Sequence, residues 1–273
     1  QIGTEPEEVD YLLDVLAEVF PNLSFGRGDV VYTYVGVRPL ARSDADKPGQ
    51  ISRDHSVVLD PPSATRDIPV VGLVGGKWTT FRALAEEAVD EVLKQLGRPR
   101  TASTDMLPIG GGAELPVDAQ AVERFLDRLV AASGMSRTRA QVLLKRYGSK
   151  ALPLAQRLAA SGDMPLRHAP GYSVAELSYL CLETGVVHLD DLVIRRTLLA
   201  IRGLVTDAAL AEIAGIAADA LGWDAAQQHA ELQACATALR ERHGVRLSPV
   251  AADAPASFDA SLMTPQALGQ AST

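Results

Sequence analysis

The sequence predicts an α+β chain, with strands and helices mixed over the first 112 residues and an all-helical domain after them. Three observations carry this. Runs rich in β-branched and aromatic residues occur at Asp29–Val37, Ile51–Leu59 and Ile68–Val74, all early in the chain. From residue 117 onward apolar residues recur at helical spacing. Between the two regions, Arg100–Pro116 carries Pro108-Ile109-Gly110-Gly111-Gly112 and no clear periodicity. The expected organisation is therefore 1–112, a helical domain over 113–247, and a mobile tail over 248–273 rich in Ala, Ser and Pro.

Each element has a local reason. Thr4, Pro6, Glu7 and Glu8 open a helix in which Tyr11, Leu12, Val15, Leu16 and Val19 form the apolar stripe, and Pro21 ends it. Three strands follow, separated by the polar loop Ala41–Gly49 and the turn region Asp60–Asp67. The third strand runs into Gly75-Gly76 and then a helix over Trp78–Leu96, with Trp78, Phe81, Ala85, Ala88, Val92 and Leu96 on one stripe. Gly97-Arg98-Pro99 stops that helix. Seven helices are expected beyond, near 117–132, 136–147, 150–161, 173–184, 189–202, 206–221 and 224–243, with Asp118, Ser136, Ser173, Asp190, Thr206 and Asp224 as N-caps.

Composition narrows the function classes. The chain has 273 residues, 47% hydrophobic and 22% charged, as in an ordinary globular protein. Its net charge of −8 argues against non-specific nucleic-acid binding. Cys181 and Cys235 stand alone in helical patterns and read as buried free thiols. No apolar run reaches 18 residues, and the N-terminus shows no signal-peptide pattern. The first residue is Gln, and a helix begins almost at once, so the chain is expected to start inside a longer protein. The five histidines lack metal-ligand spacing, and no metal site is expected. No Walker lysine follows the Gly110 run, which reads as a flexible linker. Gly26-Arg27-Gly28 does not continue into a dinucleotide fingerprint.

Three cations invite attention. Arg38 closes a strand and precedes Pro39, which holds it extended. Arg53 lies in the second strand pattern, and Lys77 sits at the Gly75-Gly76 turn. Strand ends and strand-to-helix turns converge at a sheet rim, where α/β ligands bind. Two guanidinium groups and an ammonium at such a rim would suit a phosphate dianion. Taken singly, each is more often a solvated or ion-paired residue, Thr79 and Thr80 are more often helix caps, and Arg195-Arg196 more often a solvated face.

Tyr32-Thr33-Tyr34-Val35-Gly36-Val37-Arg38-Pro39-Leu40, Ser52-Arg53-Asp54 and Gly75-Gly76-Lys77-Trp78-Thr79-Thr80-Phe81-Arg82 occur in that order. Together they closely resemble the C-terminal half of FAD-dependent glycerol-3-phosphate dehydrogenases, in the D-amino-acid-oxidase-like flavoprotein group. Leu107–Gly111 fits that family's connector, and Arg146-Tyr147-Gly148, Glu176–Leu180 and Arg195-Arg196-Thr197 look like its helical domain. The resemblance covers residues 6–245.

The resemblance implies oxidation of sn-glycerol 3-phosphate to dihydroxyacetone phosphate, with FAD taking the hydride and a quinone the electrons. It implies that Arg38 and Arg53 hold the substrate phosphate and that Lys77 lies beside flavin and substrate as a catalytic cation. Gly75, Gly76, Lys77, Trp78 and Thr79 would line the flavin. Residues 1–112 would then be the end of the FAD/substrate domain. The family's N-terminal half, with its pyrophosphate-binding glycines and active-site histidine, has no counterpart here, so an inactive fragment is expected. His55 stands where many members carry Tyr. A cytoplasmic location, peripheral to the membrane, and a homo-oligomer are further expectations. Open alternatives are an oxidase using O2, a related flavin oxidase, and a helical module for subunit contact or membrane docking.

Overall fold

The computed structural model describes residues 3–37 and 54–247. Along the chain these form α1 (Pro6–Val19), β1 (Ser56–Asp60), β2 (Val70–Val74), α2 (Phe81–Gln95), α3 (Ala119–Ser133), α4 (Arg137–Tyr147), α5 (Ala151–Ala160), α6 (Val174–Glu183), a π-helical stretch (Asp191–Arg196), α7 (Asp207–Leu221) and α8 (Ala225–His243). The fold is α+β, as the sequence predicts. Contacts divide the chain into two units, Gly36–Phe125 with Val142–Ala151, and Gln1–Val35 with Leu126–Gln141 and Leu152–Thr273.

In the first unit β1 and β2 pair antiparallel, from Ser56 opposite Val74 to Asp60 opposite Val70. Arg66 ties the connecting loop, donating to the Asp60 carboxylate at 2.9 Å and to the carbonyls of Pro61 and Ile68 at 2.6 and 2.8 Å. Helix α2 contacts both strands. Its solvent side is braced by charge. Arg100 donates to Glu86 at 2.9 Å and to Asp90, while Arg82 reaches Glu86 and Asp105, which fastens residues 100–105 along the helix.

The Gly110–Gly112 run is not a free linker. A Cβ at Gly111 would lie 1.9 Å from the Tyr147 carbonyl oxygen, and one at Gly148 would lie 2.4 Å from the Gly111 oxygen. The Ser149 amide and hydroxyl both donate to the Gly111 carbonyl, at 2.9 and 3.0 Å. The glycine is there so that two backbones can touch.

The helical unit has the larger core. Leu126, Leu129, Leu158, Leu166, Leu177, Leu189, Leu192, Leu199, Leu210, Ile213 and Leu239 are fully buried in it. Helix α7 packs on α6 and α8 and turns Ala209, Leu210, Ile213, Ala214 and Ala217 inward. The expected caps Asp118, Ser136, Ser173, Thr206 and Asp224 each accept an amide of the first helical turn. Asp190 does not. Asp191 instead accepts the amides of Val187 and His188 at 3.1 and 3.0 Å, and the stretch beyond adopts π geometry and ends at Thr197. Cys181 and Cys235 are buried free thiols, pushed up by burial to about 11 and about 12, the second aided by Asp190 and Glu231.

A buried polar cluster ties α4 to α6. Arg139 makes a bidentate contact with Asp163 at 2.8 and 3.1 Å and donates to Glu176 at 2.8 Å and to Ser173 at 3.1 Å. Glu176 has no solvent exposure. Burial disfavours the charged forms of Arg139 and Asp163. The hydrogen bonds outweigh it, so Asp163 sits below the usual carboxylate range and Arg139 above its own.

One expected strand is not formed. Residues 30–37 are extended but pair with no neighbouring strand among the described residues. A β-branched run specifies an extended backbone, whereas a strand also needs a ladder partner, and Thr33 finds the end of a helix instead.

Candidate functional site at the β2–α2 turn

The site is built by the passage from β2 into α2. Val74 ends the strand, and Gly75 and Gly76 follow with φ of +72° and +108°. Both values favour glycine. Space demands it as well: a Cβ at Gly75 would lie 2.6 Å from the Asp54 carbonyl oxygen, and one at Gly76 would lie 3.2 Å from Leu84 Cδ2. Lys77 is extended, and Trp78–Thr80 makes a single 3-10 turn before α2.

Thr80 stands at the expected cap position of α2, but its side chain caps no amide of that helix and closes the 3-10 turn instead. Its hydroxyl accepts the Lys77 amide at 3.3 Å and donates to the Lys77 carbonyl at 3.2 Å. Thr79 lies in the same turn with its side chain exposed. The Lys77 side chain is exposed and makes no ion pair among the described residues. Trp78 is 93% exposed, so the indole is presented rather than packed. The first amides of a helix have no intrahelical acceptor and carry the positive end of its dipole. The turn therefore offers an ammonium, an aromatic face and helix-start amides on a glycine bend with no side chain in the way. That set suits an electron-rich or anionic planar group.

The structure thus brings Gly75, Gly76, Lys77, Trp78 and Thr79 together in one turn. Arg38 and Arg53 lie outside the described residues. His55 is a residue that sequence reasoning left without a role. Its backbone and Cβ lie within 3.8 Å of where Cβ atoms on Gly75 and Gly76 would be, and its Nε2 is 3.1 Å from Glu87 Oε1. Its Nδ1 is buried and without a partner. The signal available in sequence was only its place directly after Asp54. Among the described residues no cluster of His, Cys, Asp and Glu could hold a metal ion, and no helix is long and apolar enough to cross a membrane.

Residues 102–228 match the family model described as the C-terminal domain of alpha-glycerophosphate oxidase. The glycerol-3-phosphate dehydrogenase of Pseudomonas tolaasii is 31% identical over 74% of this chain and 38% of its own length. That of Mycobacterium leprae is 29% identical over 80% of this chain and 36% of its own. The chain thus spans well under half the length of these curated relatives. The crystal structure of the Bacillus halodurans glycerol-3-phosphate dehydrogenase complexed with FAD covers 88% of this chain and 46% of its own, with a TM-score of 0.69 and 22% identity. At that identity the match establishes a shared fold.

Proposed function

We propose, for a chain whose residues 102–228 belong to the alpha-glycerophosphate oxidase C-terminal domain family, that it is the C-terminal portion of an FAD-dependent glycerol-3-phosphate dehydrogenase. The whole protein would oxidise sn-glycerol 3-phosphate to dihydroxyacetone phosphate and pass the electrons to a quinone. Residues 1–112 would close the FAD/substrate domain, and 113–247 would form the helical domain. The protein would be peripheral on the cytoplasmic face of the membrane. The observation that carries the reading is the glycine bend from β2 into α2, with exposed Lys77 and Trp78 at its mouth.

The residues present fit a flavin. Gly75 to Thr79 are all exposed, and two glycines in succession leave their outer backbone bare, so a flat ring could approach it. Bound FAD would supply the hydride acceptor for the substrate's C2. Gly75, Gly76, Trp78 and Thr79 would hold the ring's pyrimidine edge, where negative charge grows on reduction. Lys77 and the helix-start amides would stabilise that charge. Arg38 and Arg53 would grip the phosphate, and because the phosphate is remote from the reacting carbon, its binding energy would orient C2.

The test uses the full-length enzyme. Arg53→Ala is expected to raise KM for glycerol 3-phosphate at least about tenfold, the loss of one charge-assisted contact, with little change for unphosphorylated glycerol. Lys77→Ala is expected to slow single-turnover flavin reduction. Equal effects of Arg53→Ala on both substrates would remove it from the phosphate site, and unchanged reduction would remove Lys77 from its role. The present chain alone is expected to lose flavin absorbance on desalting, since it spans well under half of its relatives. A stoichiometric yellow complex would contradict that.

A second reading has one observation in its favour: the matching family model is described by an oxidase. Peroxide formation in air, without added quinone, would select oxygen as the acceptor.

A further inference from the structure

Behind the β2–α2 turn lies a histidine that the proposed chemistry does not use. Asp54 and His55 lead directly into β1, and the turn rests on them. A Cβ on Gly75 would lie 2.6 Å from the Asp54 carbonyl oxygen and 3.8 Å from His55 Cα, and one on Gly76 would lie 3.8 Å from His55 Cβ. The Gly76 position also faces Leu84 Cδ2 at 3.2 Å. Leu84 and Glu87 stand three residues apart on α2, hence on one face of it. Glu87 accepts a hydrogen bond from His55 Nε2 at 3.1 Å. His55 therefore joins three pieces: the backbone entering β1, the glycine bend and the first half of α2.

That bond fixes the ring. A carboxylate oxygen only accepts, so Nε2 carries the proton. Nδ1 is left buried with no partner. An unpaired buried polar atom costs stability, and an apolar ring of similar size would avoid the cost. The bond to Glu87 offsets little of it. The His55 side chain is 14% exposed but that of Glu87 is 56% exposed, and contacts of charged groups open to water contribute little. Stability alone does not select a histidine here. What the ring supplies is a fixed link between the bend and the helix that follows it.

We infer that His55 is a positioning residue of this turn: pinned to Glu87, it braces Gly75 and Gly76 from behind and so fixes how Lys77 and the helix-start amides leave the bend. This rests on the reading of the turn as the wall of a flavin site. His55 acts through the turn and not on the reacting atoms. Stabilisation of a growing charge depends on donors that are held in place before the charge develops. Loosening the brace should therefore slow flavin reduction more than it weakens substrate binding.

Two measurements test it. The Thr80 amide donates to the Lys77 carbonyl at 3.0 Å and closes the turn. In this chain its hydrogen exchange is expected to accelerate about fivefold in His55→Phe, the order of one lost hydrogen bond. It should be restored in His55→Gln, whose amide nitrogen takes the place of Nε2, and not in His55→Asn, whose nitrogen takes the place of Nδ1. The unfolding midpoint of His55→Phe is expected to be no lower than that of wild type, since the unpaired Nδ1 is gone. In the flavin-loaded full-length enzyme, His55→Phe is expected to slow single-turnover flavin reduction about fivefold, with KM for glycerol 3-phosphate within about twofold and with rescue by Gln but not Asn. Unchanged Thr80 exchange in His55→Phe would overturn the brace. Faster exchange beside unchanged reduction, in an enzyme that Lys77→Ala slows, would overturn the positioning role alone. A lowered midpoint without rescue by Gln would reduce His55 to a packing residue and overturn it too. If Lys77→Ala itself leaves reduction unchanged, the flavin reading of the turn fails, and the positioning role falls with it while the exchange result stands.

Discussion

Gly111→Ala is expected to destabilise the unit that carries the β1–β2 hairpin by about 2–3 kcal/mol, the upper range for forcing one extra methyl into filled space. The added carbon would meet the Tyr147 carbonyl oxygen at 1.9 Å, the Tyr147 carbonyl carbon at 2.8 Å and the Gly148 Cα at 3.0 Å. All three are backbone atoms, so no rotamer change relieves the clash. The chains must separate, and separation breaks the two hydrogen bonds from Ser149 to the Gly111 carbonyl. Urea denaturation followed by circular dichroism, with hydrogen exchange read at the Ser149 amide, checks this. Gly28→Ala is the control, since a Cβ there meets nothing within 4 Å. A Gly111 variant as stable as the control would show that this contact does not hold the two segments together.

Arg139→Met has the larger expected effect, about 3–5 kcal/mol at neutral pH, because it removes the guanidinium that bonds both Asp163 and the fully buried Glu176. The loss has a pH signature. Asp163 holds its proton less tightly folded than unfolded. Its contribution is therefore complete above the unfolded value of about 4 and drains away as the pH falls through the lower folded one. In the variant the part of that depression owed to Arg139 is lost, and Asp163 takes up a proton more readily. The gap between wild type and variant should thus be widest near neutrality and should narrow below about pH 4. Adding Asp163→Asn and Glu176→Gln to Arg139→Met should recover part of the lost stability at neutral pH, since the side chains that faced the lost guanidinium are then neutral. A gap that is constant with pH would mean that Arg139 matters by its packing alone.

The sequence made much of this legible where the cause is local. Five of six N-caps follow from side chains that bond to amides three residues on, a rule that needs no knowledge of the rest of the fold. Asp190 fails because its backbone is already helical, so it stands inside the helix start rather than before it, while Asp191 reaches back to the amides of Val187 and His188. The Gly75-Gly76 bend was readable because strand, glycines and helix follow one another directly. What was not readable depends on distant residues. Extended residues 30–37 look like a strand, yet what Thr33 pairs with is fixed by a helix end 210 residues away. The Gly110–Gly112 run looks like a linker, since nothing near it in sequence shows that Tyr147 will lie against Gly111. Arg139, Asp163 and Glu176 are spaced too far apart to suggest a cluster. Of the candidate site, the turn is placed by the structure, and Arg38 and Arg53 lie outside the described residues.

The two buried cysteines give the helical unit a built-in clock. A thiol with a pKa of about 11 is ionised near neutrality on the order of once in ten thousand molecules, and one at about 12 less often still. An unfolded cysteine, titrating near 8.5, is ionised on the order of a few per cent. Alkylating or oxidising reagents therefore act on Cys181 and Cys235 almost solely through moments when α6 or α8 lets them out. The rate at which each thiol is marked reports how often its own helix opens. Because the two residues sit on different helices, paired labelling would tell whether the unit comes apart in one event or by separate helices.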